Sequence, residues 1–216
     1  MNEHIALREF NYNGQSLLLY VPEEKYVQQA YYKEKQENPK ADFPYWAKLW
    51  PSALALADFI AHNTDYVKNK RVVELAAGLG LPSFVAAPYA LSVYASDYLE
   101  EAVDVMEMSR IKNDYSNVQC SLLNWHHLPE NLSADILLMS DVNYDPVEFE
   151  QLLKVFERFL SKGTTIILAT PQRLMAKPFV ERLLKYVVEQ EQKVINGTGI
   201  SIFVLRLFQI GNQHIV

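Results

Sequence analysis

The sequence has a single cysteine, Cys120, and no apolar run of the roughly 18 residues that a membrane-spanning helix needs. A lone thiol excludes an intramolecular disulfide and a cysteine-based zinc cluster. An excess of basic residues is also missing: 20 Lys and Arg stand against 26 Asp and Glu, giving a net charge of −6. Nonspecific nucleic-acid binding is disfavoured, because neutralising phosphates needs a basic surface. An acidic surface tolerates basic protein partners instead. The opening MNEHIALREF lacks the basic stretch and apolar core of a secretory signal. His126 and His127 are adjacent and read as loop residues, so no metal site is expected. These absences point to a cytoplasmic chain that binds neither nucleic acid nor membrane.

What is present is core. Half of the 216 residues are hydrophobic and 21% are charged, which suits one domain with an extension. Asn13-Gly14 divides IALREFNYNGQSLLLYVP into a predicted hairpin. Pro22 opens a charged helical stretch that Pro39 ends, and Pro51 suits the first turn of another helix. Residues 1–45 are therefore read as a hairpin-and-helix extension, and 46–216 as the main domain.

Strands and helices then alternate. Strands are predicted over 71–75, 91–96, 117–123, 134–140 and 164–170. Helices are predicted over 82–90, 99–113, 146–163 and 176–190. In the tail, QKVIN and ISIFVLRLFQI flank Gly197-Thr198-Gly199 and read as an antiparallel pair. The pattern implies βαβ units and a mostly parallel α/β sheet.

In such sheets ligands bind beyond the carboxyl ends of the strands. Four polar signals fall there: Glu74, Asp97, Asn124-Trp125 and Asp141. Between them VVELAAGLGLPS, residues 72–83, turns a strand into a helix. Its glycines either let the chain turn or let a ligand approach backbone N–H groups. Asp97 reads either as a helix cap or as an acceptor for two ribose hydroxyls. Trp125 reads either as core or as packing on an adenine that Asn124 hydrogen-bonds. The ligand is thus a dinucleotide or S-adenosylmethionine. Acidic Glu74 ahead of the loop would repel a pyrophosphate and attract a methionine ammonium. Too little chain follows for a second substrate domain, and the tail is an antiparallel pair, so S-adenosylmethionine is favoured.

The same residues resemble those of the class I, seven-stranded S-adenosylmethionine-dependent methyltransferases. The likeness is greatest to the lysine methyltransferase branch, methyltransferase family 16, and runs from about Pro44 to Phe208. LWPSALALADFI resembles the family's Trp-Pro helix entry, VVELAAGLGLPSFVAA its glycine motif, ASDY its ribose acid and LNWHHL its adenine-side element. SDVNYDP resembles its Asp-x-x-Tyr signature.

The resemblance implies a Rossmann-like fold with a mostly parallel seven-stranded sheet and an antiparallel C-terminal strand. It implies cofactor contacts from Trp50, Glu74, Ala76, Ala77, Gly78, Asp97, Asn124, Trp125 and Ser140. Asp141 and Tyr144 would line the methyl-transfer site, and Tyr45 and Trp46 read either as the substrate rim or as a packed aromatic loop. The implied acceptor is a protein lysine or a small-molecule amine, and a catalytically silent cofactor-binding module is the rival. Ala76 stands where the family usually has glycine, which a negative φ would tolerate. Asn124 replaces the common Asp. No Asn-Pro-Pro-Tyr is present, which weakens glutamine or adenine as the acceptor.

Overall fold

The first strands form where the alternation predicts them. The computed structural model describes residues 4–41 and 43–207. Strands β1 (Ile5–Tyr12) and β2 (Gln15–Pro22) pair around Asn13-Gly14, both at positive φ. Leu17, Leu19 and Val21 of β2 are buried in the same core as the helices below them. Helix α1 (Glu24–Glu37) follows and buries none of its residues. Pro51 opens α2 (Pro51–His62), which is buried along most of its length. The Asn13 side chain donates to the Ala61 carbonyl and fastens the hairpin to α2.

The main sheet combines β3 (Arg71–Leu75), β4 (Ser92–Asp97), β5 (Val118–Leu122), β6 (Ile136–Ser140), β7 (Thr165–Pro171), β8 (Val187–Ile195) and β9 (Thr198–Leu205). Its order is β5-β4-β3-β6-β7-β9-β8, and β9 runs antiparallel to both neighbours. The chain steps from β3 outward to β5, then returns to the other side of β3 with β6. That reversal opens a crevice above β3. Helices α2, α3 (Leu81–Ala86) and α4 (Glu100–Lys112) cover one face. Helices α5 (Phe149–Ser161) and α6 (Lys177–Leu183) cover the other. Leu137 and Leu138 of β6 are fully buried on opposite faces, as a covered parallel strand requires.

Two expectations near the C-terminus need correcting. The helix predicted over 176–190 stops early: α6 ends at Leu183, one 3-10 turn follows, and residues 187–195 are β8. Glu and Gln favour helix only weakly, and eight pairings to β9 outweigh that preference. The turn between β8 and β9 is Asn196-Gly197, at φ +49° and +76°, so Thr198 and Gly199 belong to the strand. The predicted last strand ends at Leu205, and its residues 208–210 lie outside the described residues.

Two features at the end of β3 carry energetic consequences. Ala76 has φ +52°, so the negative φ that would make an alanine tolerable there is not met. The left-handed conformation costs an alanine about 1–2 kcal/mol, and the turn into the glycine loop imposes it. Glu74 is fully buried; one of its oxygens accepts from the Ser83 N–H at 3.0 Å and from the Ser83 hydroxyl at 2.6 Å. Burial pushes its carboxyl up to about 8, against the opposing pull of the Ser83 bonds.

Two outcomes are expected. Ala76→Gly should raise the melting temperature by a few degrees, since relief of strain exceeds the entropy glycine adds to the unfolded chain by about 1 kcal/mol at most. Calorimetry without ligand checks it. The folded state also holds the Glu74 proton more tightly than the unfolded chain does. Stability from this group is therefore full at acid pH and is lost as pH rises from about 4.5 through about 8. Denaturant unfolding across that range should show the decline in the wild type and a flatter profile in Glu74→Gln.

Candidate active site

The carboxyl edge of the sheet gathers residues that are far apart in the chain. β3 ends in the loop Ala76–Gly80, β4 in Asp97, β6 in Ser140-Asp141, and the turn after β6 holds Tyr144. With the segment before α2, they line a cavity of about 330 Å³. Trp50, Ala76, Ala77, Gly78, Asp97, Trp125, Ser140, Asp141 and Tyr144 all face it. Two nominated residues do not. Glu74 is turned into the core onto Ser83. Asn124 lines an adjoining groove, and its side-chain oxygen accepts from the His126 N–H at 2.8 Å.

Asp97 is 4% exposed. Oδ2 accepts from the Gly78 N–H at 2.9 Å and Oδ1 from the Leu99 N–H at 3.2 Å. Burial raises its carboxyl from the usual range, while these backbone bonds hold it down. Asp97 is not the N-cap of α4, which is Leu99 with no side-chain cap bond. It ties down the backbone just ahead of that helix, and it lines the cavity.

Aromatic rings form the opposite wall. Tyr45 lies 6.0 Å from Trp50 and 5.5 Å from Tyr144, centroid to centroid. The Trp50 ring N–H donates to the Tyr45 carbonyl at 2.7 Å, fixing the aromatic loop. A Cβ on Gly78 would lie 3.2 Å from the Trp46 carbonyl oxygen. The space left by this glycine is therefore taken by the aromatic loop. Lys48 holds its ammonium 5.1 Å above the Trp50 ring and 3.6 Å from Glu24 of α1.

Asp141 lies at φ +55° and is anchored by its own N–H to the Ala169 carbonyl at 2.9 Å. Its carboxylate meets Arg173 in a fork, at 2.8 and 3.3 Å. Burial raises the Asp141 carboxyl, and Arg173 opposes that rise. Burial also pushes the Tyr144 hydroxyl up to about 12, so it stays protonated at neutral pH.

Sequence reasoning missed Arg173, Lys48 and Glu148. Arg173 stands just past the carboxyl end of β7, so the edge rule applied to that strand would have found it. Glu148 accepts from the Trp125 ring N–H at 3.0 Å and pairs with His126 at 2.8 Å. This pairing accounts for the first of the two histidines. Among the described residues no cluster could hold a metal ion.

The chain is similar to known proteins in sequence and fold. A family model described as lysine methyltransferase matches residues 36–186. Human histone-arginine methyltransferase METTL23 is 30% identical over 124 residues, 55% of this chain and 65% of that protein. Protein-lysine N-methyltransferase EFM3 of Chaetomium thermophilum is 31% identical over 142 residues, 58% of this chain and 42% of its own. Protein N-lysine methyltransferase METTL21A of Xenopus tropicalis is 27% identical over 169 residues, 76% of this chain and 78% of its own. The matches span 49% to 65% of the lengths of the histone-arginine relatives.

Among solved structures, the T. thermophilus 16S rRNA N2 G1207 methyltransferase, in complex with AdoMet and guanosine, aligns with TM-score 0.67 at 14% identity. It covers 96% of this chain and 52% of that one. A SAM-dependent methyltransferase from Aquifex aeolicus aligns with TM-score 0.56 at 13% identity, covering 74% and 100%. At these identities the likeness speaks for the fold. Residues 36–186 carry the family match, they include the loop, the buried aspartate and the Asp141–Tyr144 turn, and the chain belongs to the lysine methyltransferase family.

Proposed function

We propose that the protein is an S-adenosylmethionine-dependent methyltransferase whose acceptor is a lysine amine of another protein. The observation that carries the proposal is the pairing, across one cavity, of Asp97, bonded to the glycine loop, with Asp141 and Tyr144. Its volume of about 330 Å³ lies in the range of small-ligand sites. The residues present fit the cofactor. Asp97 keeps lone pairs for two ribose hydroxyls beyond its backbone bonds. Trp125 offers a face to the adenine. Trp50 and the backbone of Ala76, Ala77 and Gly78 flank the amino-acid end, with Ser140 beside them. Glu74 would act at one remove, by holding the start of α3.

When bound, the cofactor supplies a methyl that is already electrophilic. The chain has three tasks left. It must hold the acceptor nitrogen about 3 Å behind that methyl. It must exclude water from the reacting groups. It must let a lysine shed its proton, against a solution pKa of about 10.4. A carboxylate beside the ammonium would raise that pKa. Asp141 is therefore a positioning group and not a strong base, and Tyr144 can orient the amine through its hydroxyl or ring.

Lysine is favoured over the arginine that some relatives' names carry. A guanidinium keeps its charge at any working pH and calls for a free carboxylate. The two carboxylates that line the cavity are both engaged, Asp97 by backbone and Asp141 by Arg173. The acidic chain suits a basic protein partner over nucleic acid. No described helix is long and apolar enough to cross a membrane, and the cytoplasmic placement is part of the same proposal.

Two measurements test this reading. S-adenosylhomocysteine at a hundredfold excess over its dissociation constant should stabilise the protein by about 2.7 kcal/mol, and NAD should not. Asp97→Ala should lower ligand-free stability and also weaken ligand binding by about 1.5–3 kcal/mol, for a bond to a charged group, so that about half or more of that gain is lost at the same ligand concentration. A larger melting shift with NAD would refute the cofactor assignment. With labelled methyl donor and a lysate, Tyr144→Phe should lower transfer into protein lysine by about ten- to a hundredfold while S-adenosylhomocysteine affinity holds. Wild-type rates in the folded variant would remove Tyr144 from the chemistry.

A further inference from the structure

Arg173 lines the cavity beside Asp141, and no motif assigns it a role. Its backbone is fixed: the N–H donates to the Pro171 carbonyl at 2.8 Å, and the residue opens the 3-10 turn Leu174–Ala176. Its guanidinium meets both oxygens of Asp141, whose side chain is only 10% exposed. Asp141 is itself held in a left-handed conformation, so the fork meets a carboxylate with little freedom. The other charged or titratable groups lining the cavity are Lys48, Asp97, Tyr45, Tyr98 and Tyr144. Asp97 is tied to the glycine loop, and Lys48 is drawn toward Trp50 and Glu24. Past Tyr144, the adjoining groove adds Asp145, Glu148 and His126, with Glu148 bonded to His126 and Trp125. Asp141 is thus the carboxylate at the acceptor end, and Arg173 is its counter-charge.

Resting on the lysine methyltransferase reading, we infer that Arg173 is a positioning residue that sets the charge of the acceptor site, clamping Asp141 so that it orients a lysine without holding it protonated. A bare carboxylate within about 4–6 Å shifts a neighbouring group by 1–3 pKa units toward its charged form. For a lysine that charged form is the ammonium, which has no lone pair to attack with. Arginine stays cationic at any working pH, so its compensation does not lapse as pH changes. Its planar fork engages both carboxylate oxygens, which also fixes the direction in which Asp141 points. A lysine here would supply the charge without the fork.

The pH profile of methyl transfer by the full chain tests this inference, with labelled S-adenosylmethionine, lysate proteins as acceptor pool and mass spectrometry to place the label. Arg173→Gln should move the midpoint of the acid limb upward by about one pH unit or more, so that transfer at neutral pH falls about tenfold. Asp141→Asn leaves Arg173 uncompensated and should move the midpoint downward, whatever happens to the plateau rate. The double variant should return to the wild-type midpoint. A purely structural role predicts no shift of opposite sign in the two single variants. Wild-type midpoints in both, or shifts in the same direction, would overturn the inference. Should Arg173→Gln fail to fold, the direction in Asp141→Asn decides: an absent or upward shift overturns it. A wild-type enzyme that labels no lysine refutes the function itself, which is a different result from unaltered pH limbs in an active enzyme.

Discussion

The bond from the Gly78 N–H to Asp97 is the constraint on which the site depends. It joins the loop after β3 to the end of β4, and β3 is one of the two strands, with β6, that flank the switch point of the sheet. A hydrogen bond to a charged group contributes about 1.5–3 kcal/mol, and here it is sheltered from water. Its geometric effect matters more than its energy. Asp97 cannot move without moving the glycine loop, so the two halves of the proposed cofactor site keep one distance. Burial of Asp97 raises its carboxyl, and the backbone bonds counter only part of that rise. Both of its oxygens accept from backbone N–H groups while the residue faces a cavity walled mostly by apolar groups.

The second constraint is the aromatic loop ahead of α2. Gly78 lacks a side chain where the Trp46 carbonyl passes, and Trp50 bonds back to Tyr45. The loop therefore rests on the glycine turn and carries Tyr45 to Tyr144. Sequence offers two reasons for a glycine in such a loop, a ligand or a turn. The structure adds a third, close passage of another segment. The extension contributes through the same segment, since Glu24 of α1 reaches Lys48 on the cavity wall.

Much of this was legible before the fold was known, for identifiable reasons. The apolar runs of β3, β4 and β6 end in polar residues, and the carboxyl ends of parallel strands share one edge. Glu74, Asp97 and Asp141 were therefore placed together with no contact in view. The orientation of each side chain was not legible. Glu74 alternates away from the cavity along β3, and only the position of Ser83 in α3 reveals its partner. The positive φ of Ala76 escaped because an alanine gives no sign of left-handed backbone. Asn13-Gly14 gave its turn away, whereas the equal signal in Asn196-Gly197 was masked by a second glycine two residues on. Helix-favouring Glu and Gln hid the start of β8, an edge strand set by pairing and not by propensity.

Arg173 was hidden for a different reason. Its significance is relational: it matters because its guanidinium meets Asp141, which lies 32 positions earlier in the chain. The same holds for Glu148, which gathers Trp125 and His126 from another strand end. Both pairs leave the cavity wall with few uncompensated charges, although the residues around it include six Asp, Glu, Lys and Arg side chains across the two grooves, Lys48, Asp97, Asp141, Asp145, Glu148 and Arg173. A methyl-transfer site needs that economy. Free negative charge would keep an amine protonated, and free positive charge would repel both the acceptor and the sulfonium. Pairing each charge within the wall leaves dipoles in fixed directions, which orient a nucleophile without locking its proton in place.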